Sequence, residues 1–421
     1  MTATQERTQG ATQKRVLKMG IIGIGVGGAE ILPAFESMEE VELVAGCDVV
    51  PQTLERFQKR YPETNVYDSI DKMLTDPEVE AVWISSPNRF HGPHTIAAAK
   101  AGRHVIVEKP MAINLQQAEE MINECDKNNV KLMAGHTRSF TLPMRAARHI
   151  IQSGRVGKVR AMNTWSFTDW LLRPRTPDEL DLAQGGGIPY RQGPHQIDTI
   201  RLLGGGQIRS VRAMTGQWWD KRNIPGYYAA FLEFEDGTPA TIVHNGYGYF
   251  LGAELVPWGE SRQRYDMEER IRIRKEMNAG TRKETEEKQD LRIGGEAEQR
   301  IFRTQPEEPR GWVPEDAGLC VISCERGDVR QSRFGVYVYD DNGVEDVVLD
   351  ASKSGAGGRR AELVEFYDHI VSGKPMFHDG RWGIGTLEVI MAIMESAKER
   401  KEMYLSRQKA VPDWYDADLE Y

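Results

Sequence analysis

Gly23-Ile24-Gly25-Val26-Gly27-Gly28 stands at the end of an apolar run and the start of a stretch with helical spacing, and it narrows the choice of fold more than any other feature of this 421-residue chain. Glycines so spaced allow a tight turn after a strand and let backbone approach a pyrophosphate. In a chain with 41 glycines the pattern alone is weak, but Asp48 closes the next apolar run, where an acid holds the adenosine ribose hydroxyls. Asp48 precedes Val49 and Val50 with no adjacent Arg, which favours NAD; Arg56, Lys59 and Arg60 keep NADP open.

The neighbouring pattern supports the same fold. Apolar runs Leu17–Ile24, Val41–Cys47, Ala81–Ser85, His104–Val107 and Lys131–Ala134 are too short for ordinary helices. Helix-like stretches Ala29–Met38, Pro51–Arg60, Pro93–Lys100 and Leu115–Lys127 lie between them. Such alternation implies right-handed crossovers and a doubly wound parallel α/β (Rossmann) domain over residues 17–140, after a flexible tail at 1–16. From 141 to 421 the grammar changes. One helix, Met144–Gln152, is followed by strand-like runs Val159–Phe167, Ile208–Thr215, Tyr227–Phe234, Ala240–Tyr247 and Phe334–Tyr339, with a hairpin signal at Asp236-Gly237. Apolar stripes on Leu363/Phe366/Tyr367/Ile370 and Leu387/Ile390/Met391/Met394 mark two C-terminal helices. The expectation is an α+β domain with a large, mostly antiparallel open sheet. Residues 260–310 carry 13 acidic and 13 basic side chains, so they read as a solvated helical insertion with a thin Met267/Ile271/Met277 stripe and i,i+4 pairs Glu268/Arg272 and Glu284/Lys288.

Composition excludes several function classes. A net charge of -9 gives no global attraction for nucleic acid or anionic lipid, and no apolar run is long enough for a membrane span. Four scattered cysteines and an N-terminus without a signal-peptide core point to a reducing, cytoplasmic setting.

Three further motifs carry chemistry. Ser86-Pro87-Asn88, with His91, and Glu108-Lys109-Pro110 follow the third and fourth runs, on the sheet edge where such folds bind ligands. Lys109 there is a cation beside the nicotinamide, able to stabilise a developing alkoxide. His91 and His94 have metal-like spacing but no third ligand nearby in sequence, so no metal is expected. Gly185-Gly186-Gly187-Ile188-Pro189-Tyr190-Arg191-Gln192-Gly193-Pro194-His195-Gln196-Ile197-Asp198 offers His195 as a base for a hydroxyl proton, with Asp198 one helical turn away to orient it.

In this order the motifs, with His136-Thr137-Arg138-Ser139-Phe140, resemble those of the glucose–fructose oxidoreductase/inositol dehydrogenase/rhizopine catabolism (Gfo/Idh/MocA) family. The resemblance implies a nicotinamide cofactor held by Gly23, Gly25, Val26, Gly27, Gly28, Asp48, Ser86, Pro87, Asn88, His91, Glu108 and Lys109. It also implies catalysis by Lys109 with His195, and a homodimer or homotetramer built on the open sheet. Many members have Asp four residues before that His; here the position is Arg191. Arg191, with Arg173 and Arg175, suits a carboxylate, and Trp165, Trp170 and Tyr190 offer flat apolar walls. Within the family, Tyr190–Gln196 and Arg201–Gly206 are similar to enzymes of phthalate breakdown that oxidise 4,5-cis-dihydrodiols to 4,5-dihydroxyphthalate. The expected function is therefore an NAD-dependent dehydrogenase acting on a small, cyclic, carboxylated diol. A sugar, inositol or sugar-acid dehydrogenase and a non-catalytic NAD-binding regulator remain open alternatives.

Overall fold

Six short runs pair side by side in parallel: β1 (Leu17–Ile22), β2 (Val41–Cys47), β3 (Asn65–Tyr67), β4 (Ala81–Ile84), β5 (His104–Glu108) and β6 (Leu132–Gly135), in the order β3-β2-β1-β4-β5-β6. The computed structural model describes residues 15–136, 138–259, 264–295, 312–314, 317–350, 358–417 and 419–420; residues 1–14 of the expected tail lie outside these. Helices cover both faces of this sheet, which is why β4 is apolar and buried at every position. Strand order reverses between β1 and β4, opening a crevice at their C-terminal ends. β3 has only three residues and no apolar run, so it left no strand signal. The helix expected over Ala29–Met38 is two pieces, Val26–Ala29 and Leu32–Glu36, with Pro33 in the first turn of the second, where its missing N–H costs nothing.

The second sheet has nine strands: β7 (Val159–Phe167), β8 (Ile208–Gly216), β9 (Tyr227–Phe234), β10 (Pro239–Asn245), β11 (Leu319–Cys324), β12 (Gly327–Gln331), β13 (Gly335–Asp340), β14 (Gly343–Val348) and β15 (Met403–Tyr404). Their order is β14-β13-β12-β11-β7-β10-β9-β8-β15, antiparallel except for β7 with β10. The hairpin at Asp236-Gly237 joins β9 to β10, with Gly237 at φ +82°. The helix Gly193–Leu203, buried along its whole length, lies beneath this sheet beside the helix Gly380–Glu399. The other face leaves Trp165, Met214 and Phe231 exposed.

Two features depart from the expected organisation. The helix Gly358–Ser372 returns to the first sheet, where Leu363, Phe366 and Tyr367 pack with Leu17, Phe35 and Trp83. In the charged segment, helices Met267–Ala279 and Glu284–Asp290 are tied into the body rather than merely solvated. Met267 and Ile271 are exposed, and the buried positions are Arg270, Ile273 and Met277, the last two packed with Leu172 and Tyr265. Arg272 pairs with Glu276, while Glu284 and Lys288 reach across to Arg222 and Glu179. Tertiary partners thus replace the expected Glu284/Lys288 pair, another i,i+4 partner on the same helix replaces Glu268 for Arg272, and Ile293 is buried in the core of the first sheet. Residues 260–263 and 296–310 of this segment lie outside the described residues. Among the described residues, no helix is long and apolar enough to cross a membrane, and all four cysteines are free.

Candidate active site

A cleft of about 600 Å³ opens at the C-terminal ends of β1, β2, β4 and β5. The glycine turn forms one wall. Gly23 has φ +87°, and a Cβ there would lie 2.6 Å from the Ser86 amide nitrogen; one on Gly28 would lie 2.1 Å from the Gly23 carbonyl oxygen. A side chain at either position would push the turn open. A Cβ on Gly25 or Gly27 would meet nothing within 4 Å, so this side of the turn faces open space in the cleft. Asp48 fixes the turn from β2: its Oδ2 accepts from the Ile24 amide at 2.8 Å and its Oδ1 from the Val50 amide at 2.9 Å. Each carboxylate oxygen keeps accepting capacity toward the cleft, so a pyrophosphate beside the glycines and a ribose beside Asp48 both fit. Arg56 donates to the Ile293 carbonyl and Arg60 pairs with Glu36.

The opposite wall is built from strand-end turns locked together. The ring nitrogens of buried His91 lie 2.8 Å from the Pro110 and Ser86 carbonyl oxygens, stapling the Glu108-Lys109-Pro110 turn to Ser86-Pro87-Asn88. Glu108 accepts from Trp83 Nε1 at 3.1 Å and is ion-paired with Arg359, so its carboxylate anchors the end of β5. Burial disfavours its charge, but Arg359 and Lys109 hold its pKa below the ordinary value. Asn88 donates to the Gly185 carbonyl at 2.8 Å, tying the first sheet to the triple-glycine turn of the second domain. Gly185 at φ +75° and Gly187 at φ +85° explain why that turn is glycine-rich.

Lys109 enters the cleft and donates from Nζ to the Arg191 carbonyl at 3.1 Å. Arg191 ends the short helix Gly187–Arg191, and the next helix begins at Gly193 with His195 in its first turn, 7% exposed. The structure therefore brings Lys109 to Arg191, one turn of chain before His195.

Asp198 behaves otherwise than expected. It is fully buried, with Oδ1 accepting from Trp382 Nε1 at 2.6 Å and Thr386 Oγ1 at 3.2 Å and lying 2.9 Å from His136 Nδ1. Burial opposes its charge, but His136 and His378 hold its pKa well below the usual carboxylate range. Its carboxylate locks the helix to β6 and to the Gly380 helix instead of orienting His195.

The arginines sort in the same way. Arg173 pairs with Asp169 at 2.8 Å. Arg175 lies 3.8 Å over the ring of Trp170 and donates to the Trp170 carbonyl and to Glu179. Trp170 and Tyr190 belong to the apolar core and do not line the cleft, and Trp165 faces out from β7. Of these proposed substrate contacts, Arg191 is the one the structure places on the cleft wall.

Glu179 was not singled out in the sequence, yet it organises this wall. Its Oε1 lies 3.0 Å from Arg191 Nη2 and 3.2 Å from Arg175 Nη1, and its Oε2 lies 2.8 Å from Lys288 Nζ. Burial works against the Glu179 charge, but Arg191, Arg175 and Lys288 hold its pKa well below the usual range. Burial pushes Lys288 down to about 8, opposed by Glu179 and reinforced by Arg175 and Arg191. Three cations thus surround one carboxylate, and two of them, Arg191 and Lys288, line the cleft beside Lys109. The available signal, Thr176-Pro177-Asp178-Glu179, reads as a capping box, which it also is: Glu179 accepts from the Thr176 amide and hydroxyl.

Comparison with known proteins agrees with this architecture. Residues 17–136 match the family model described as oxidoreductase family, NAD-binding Rossmann fold, and residues 144–249 match the GFO/IDH/MocA C-terminal domain. A Comamonas testosteroni protein named 1-carboxy-3-chloro-3,4-dihydroxycyclohexa-1,5-diene dehydrogenase is 32% identical over 400 residues, covering 91% of this chain and 95% of its own. The crystal structure of a Bordetella bronchiseptica RB50 protein assigned as a dehydrogenase superposes with TM-score 0.83 at 35% identity, over 93% of this chain and 100% of its own. The Bordetella pertussis WlbA dehydrogenase, solved with NADH and UDP-GlcNAcA, shares the fold at TM-score 0.67 and 19% identity, over 93% of this chain and 99% of its own. Two matched domains, a relative aligned along nearly its full length and a glycine turn with Asp48 built for NAD make this chain a member of the Gfo/Idh/MocA family of NAD-binding oxidoreductases.

Proposed function

We propose that the protein is an NAD-dependent dehydrogenase that oxidises one hydroxyl of a carboxylated cyclic diol, a cyclohexadiene cis-diol such as phthalate cis-4,5-dihydrodiol. The carrying observation is Arg191, held on the cleft wall beside Lys109 by Glu179 where many relatives carry an acid suited to sugar hydroxyls. The Comamonas relative, whose name is that of a carboxylated cyclohexadiene diol dehydrogenase, supports the same substrate class.

Bound NAD supplies the hydride acceptor. Arg191 grips the substrate carboxylate and sets the ring in the cleft. Lys109, positioned through the His91 staple and the Arg191 carbonyl, donates to the reacting hydroxyl oxygen and bears its developing negative charge. His195 takes the hydroxyl proton. Loss of that proton and of the carbinol hydride leaves a ketone, which in a cyclohexadiene ring enolises to a catechol and draws the oxidation forward. Arg191→Met tests this reading: KM for carboxylated diols should rise at least tenfold with kcat nearly unchanged, and an unaltered KM would refute it.

The exposed row Trp165, Met214 and Phe231 shares one face of the second sheet and supports assembly into a homodimer or homotetramer through that face.

A further inference from the structure

We propose that Lys288, carried by the charged insertion, is a substrate-binding residue: Arg191 and Lys288, fixed on opposite oxygens of Glu179, form a two-cation clamp that takes the substrate carboxylate between them. The proposal deepens the substrate reading above and rests on it.

Geometry carries the argument. Arg191 Nη2 stands 3.0 Å from Glu179 Oε1 and Lys288 Nζ 2.8 Å from Oε2, so one carboxylate sets the spacing of both cations. Both line the cleft that also holds Lys109, with side chains 26% and 16% exposed, whereas Arg175 lies behind them on Trp170. Lys288 also donates to the Pro174 carbonyl at 3.4 Å, which leaves one of its three N–H groups for a ligand.

Charge balance points the same way. Arg175, Arg191 and Lys288 share the single carboxylate of Glu179, and a part-buried excess of positive charge is relieved when an anion enters.

The insertion, finally, is anchored on both sides of Lys288. Glu284 accepts from Arg222 Nη1 at 3.0 Å, Arg222 Nη2 at 2.6 Å and the Arg175 amide at 3.0 Å. Downstream, Ile293 is buried against the first sheet and its carbonyl accepts from Arg56. A helix pinned at both ends delivers Lys288 to a fixed place, as precise recognition requires.

The test is titration calorimetry of the NADH-loaded protein with phthalate and with benzoate, for wild type, Lys288→Met, Lys288→Arg and Arg191→Met. Lys288→Met should weaken carboxylate binding at least tenfold, Lys288→Arg should retain it within about threefold, and NADH affinity should be the same in all four. Wild-type affinity in Lys288→Met together with loss in Arg191→Met would overturn the clamp and leave the carboxylate reading standing. Absence of carboxylate binding in wild type, with NADH bound normally, would overturn both.

Discussion

Arg191 Nη2 lies 3.0 Å from Glu179 Oε1, so the cation on the cleft wall is held by a buried carboxylate and does not swing free in solvent. Glu179→Gln would leave Arg175, Arg191 and Lys288 facing one another without an anion, at a cost of about 3 kcal/mol. The native pKa of Glu179 is depressed by those cations. Its stabilisation is therefore fully present above the unfolded carboxyl value of about 4.3 and is lost as pH falls through the lower native value. Denaturant unfolding should show a wild-type advantage at pH 7 that shrinks at pH 3.5; a constant advantage would show that the charge is not its source.

Asp198 and His195 share a helix but should behave as different kinds of residue. Asp198→Asn keeps an acceptor for Trp382 and removes the charge beside His136, so it should cost about 1–3 kcal/mol and leave the pH profile of kcat in place. His195→Asn should lower kcat by about 10²–10⁴ with little change in stability. A shifted acid limb in Asp198→Asn would restore it as the group that orients His195.

Lys109→Met removes the cation held at the Arg191 carbonyl. Single-turnover hydride transfer should slow by about 10²–10³ while NAD affinity, measured by fluorescence titration, changes little.

The Lys288 value near 8 gives kcat/KM for a carboxylated diol an alkaline limb. Charged Lys288 binds the carboxylate, so kcat/KM should fall above about pH 8, and Lys288→Arg should extend the plateau to higher pH. Burial sets this value, Glu179 opposes it and Arg175 and Arg191 reinforce it; Arg175, itself pushed down to about 9 by burial, and, on the Lys288 segment, Glu284 and Arg292 are the other charged groups nearby.

Asp48→Ala loses the bonds to Ile24 and Val50 along with the ribose acceptor. KM for NAD should rise at least tenfold and the preference over NADP should narrow, because the acid that repels a 2′-phosphate has gone.

Much of this site could be read in the sequence, for a physical reason. The glycine turn, Asp48, Ser86-Pro87-Asn88 and Glu108-Lys109-Pro110 are local motifs placed by short, strongly apolar strands, and the structure brings all of them to one cleft. Residues whose meaning depends on distant partners are not legible in this way. Asp198 looked like a neighbour of His195 because the two are three apart in sequence, but His136, Trp382 and Thr386 claim its carboxylate. Trp170 looked like a pocket wall and is core, stacked under Arg175. Glu179 hid inside a capping box, and Lys288 hid among balanced charges with Glu284 as its obvious partner until the fold gave each a different one. Strands β12 and β14 carry polar or exposed positions that blur alternation, so their pairing, not their composition, defines them.

The most direct test is to follow reduced nicotinamide absorbance with purified protein, NAD and paired cyclohexadiene cis-diols that differ only in their ring carboxylates, with inositols and sugars alongside. Turnover confined to the carboxylated diols, with catechol formed in step with NADH, is the expected result. Equal turnover of carboxylated and uncarboxylated rings, or turnover of inositols or sugars in their place, would contradict it.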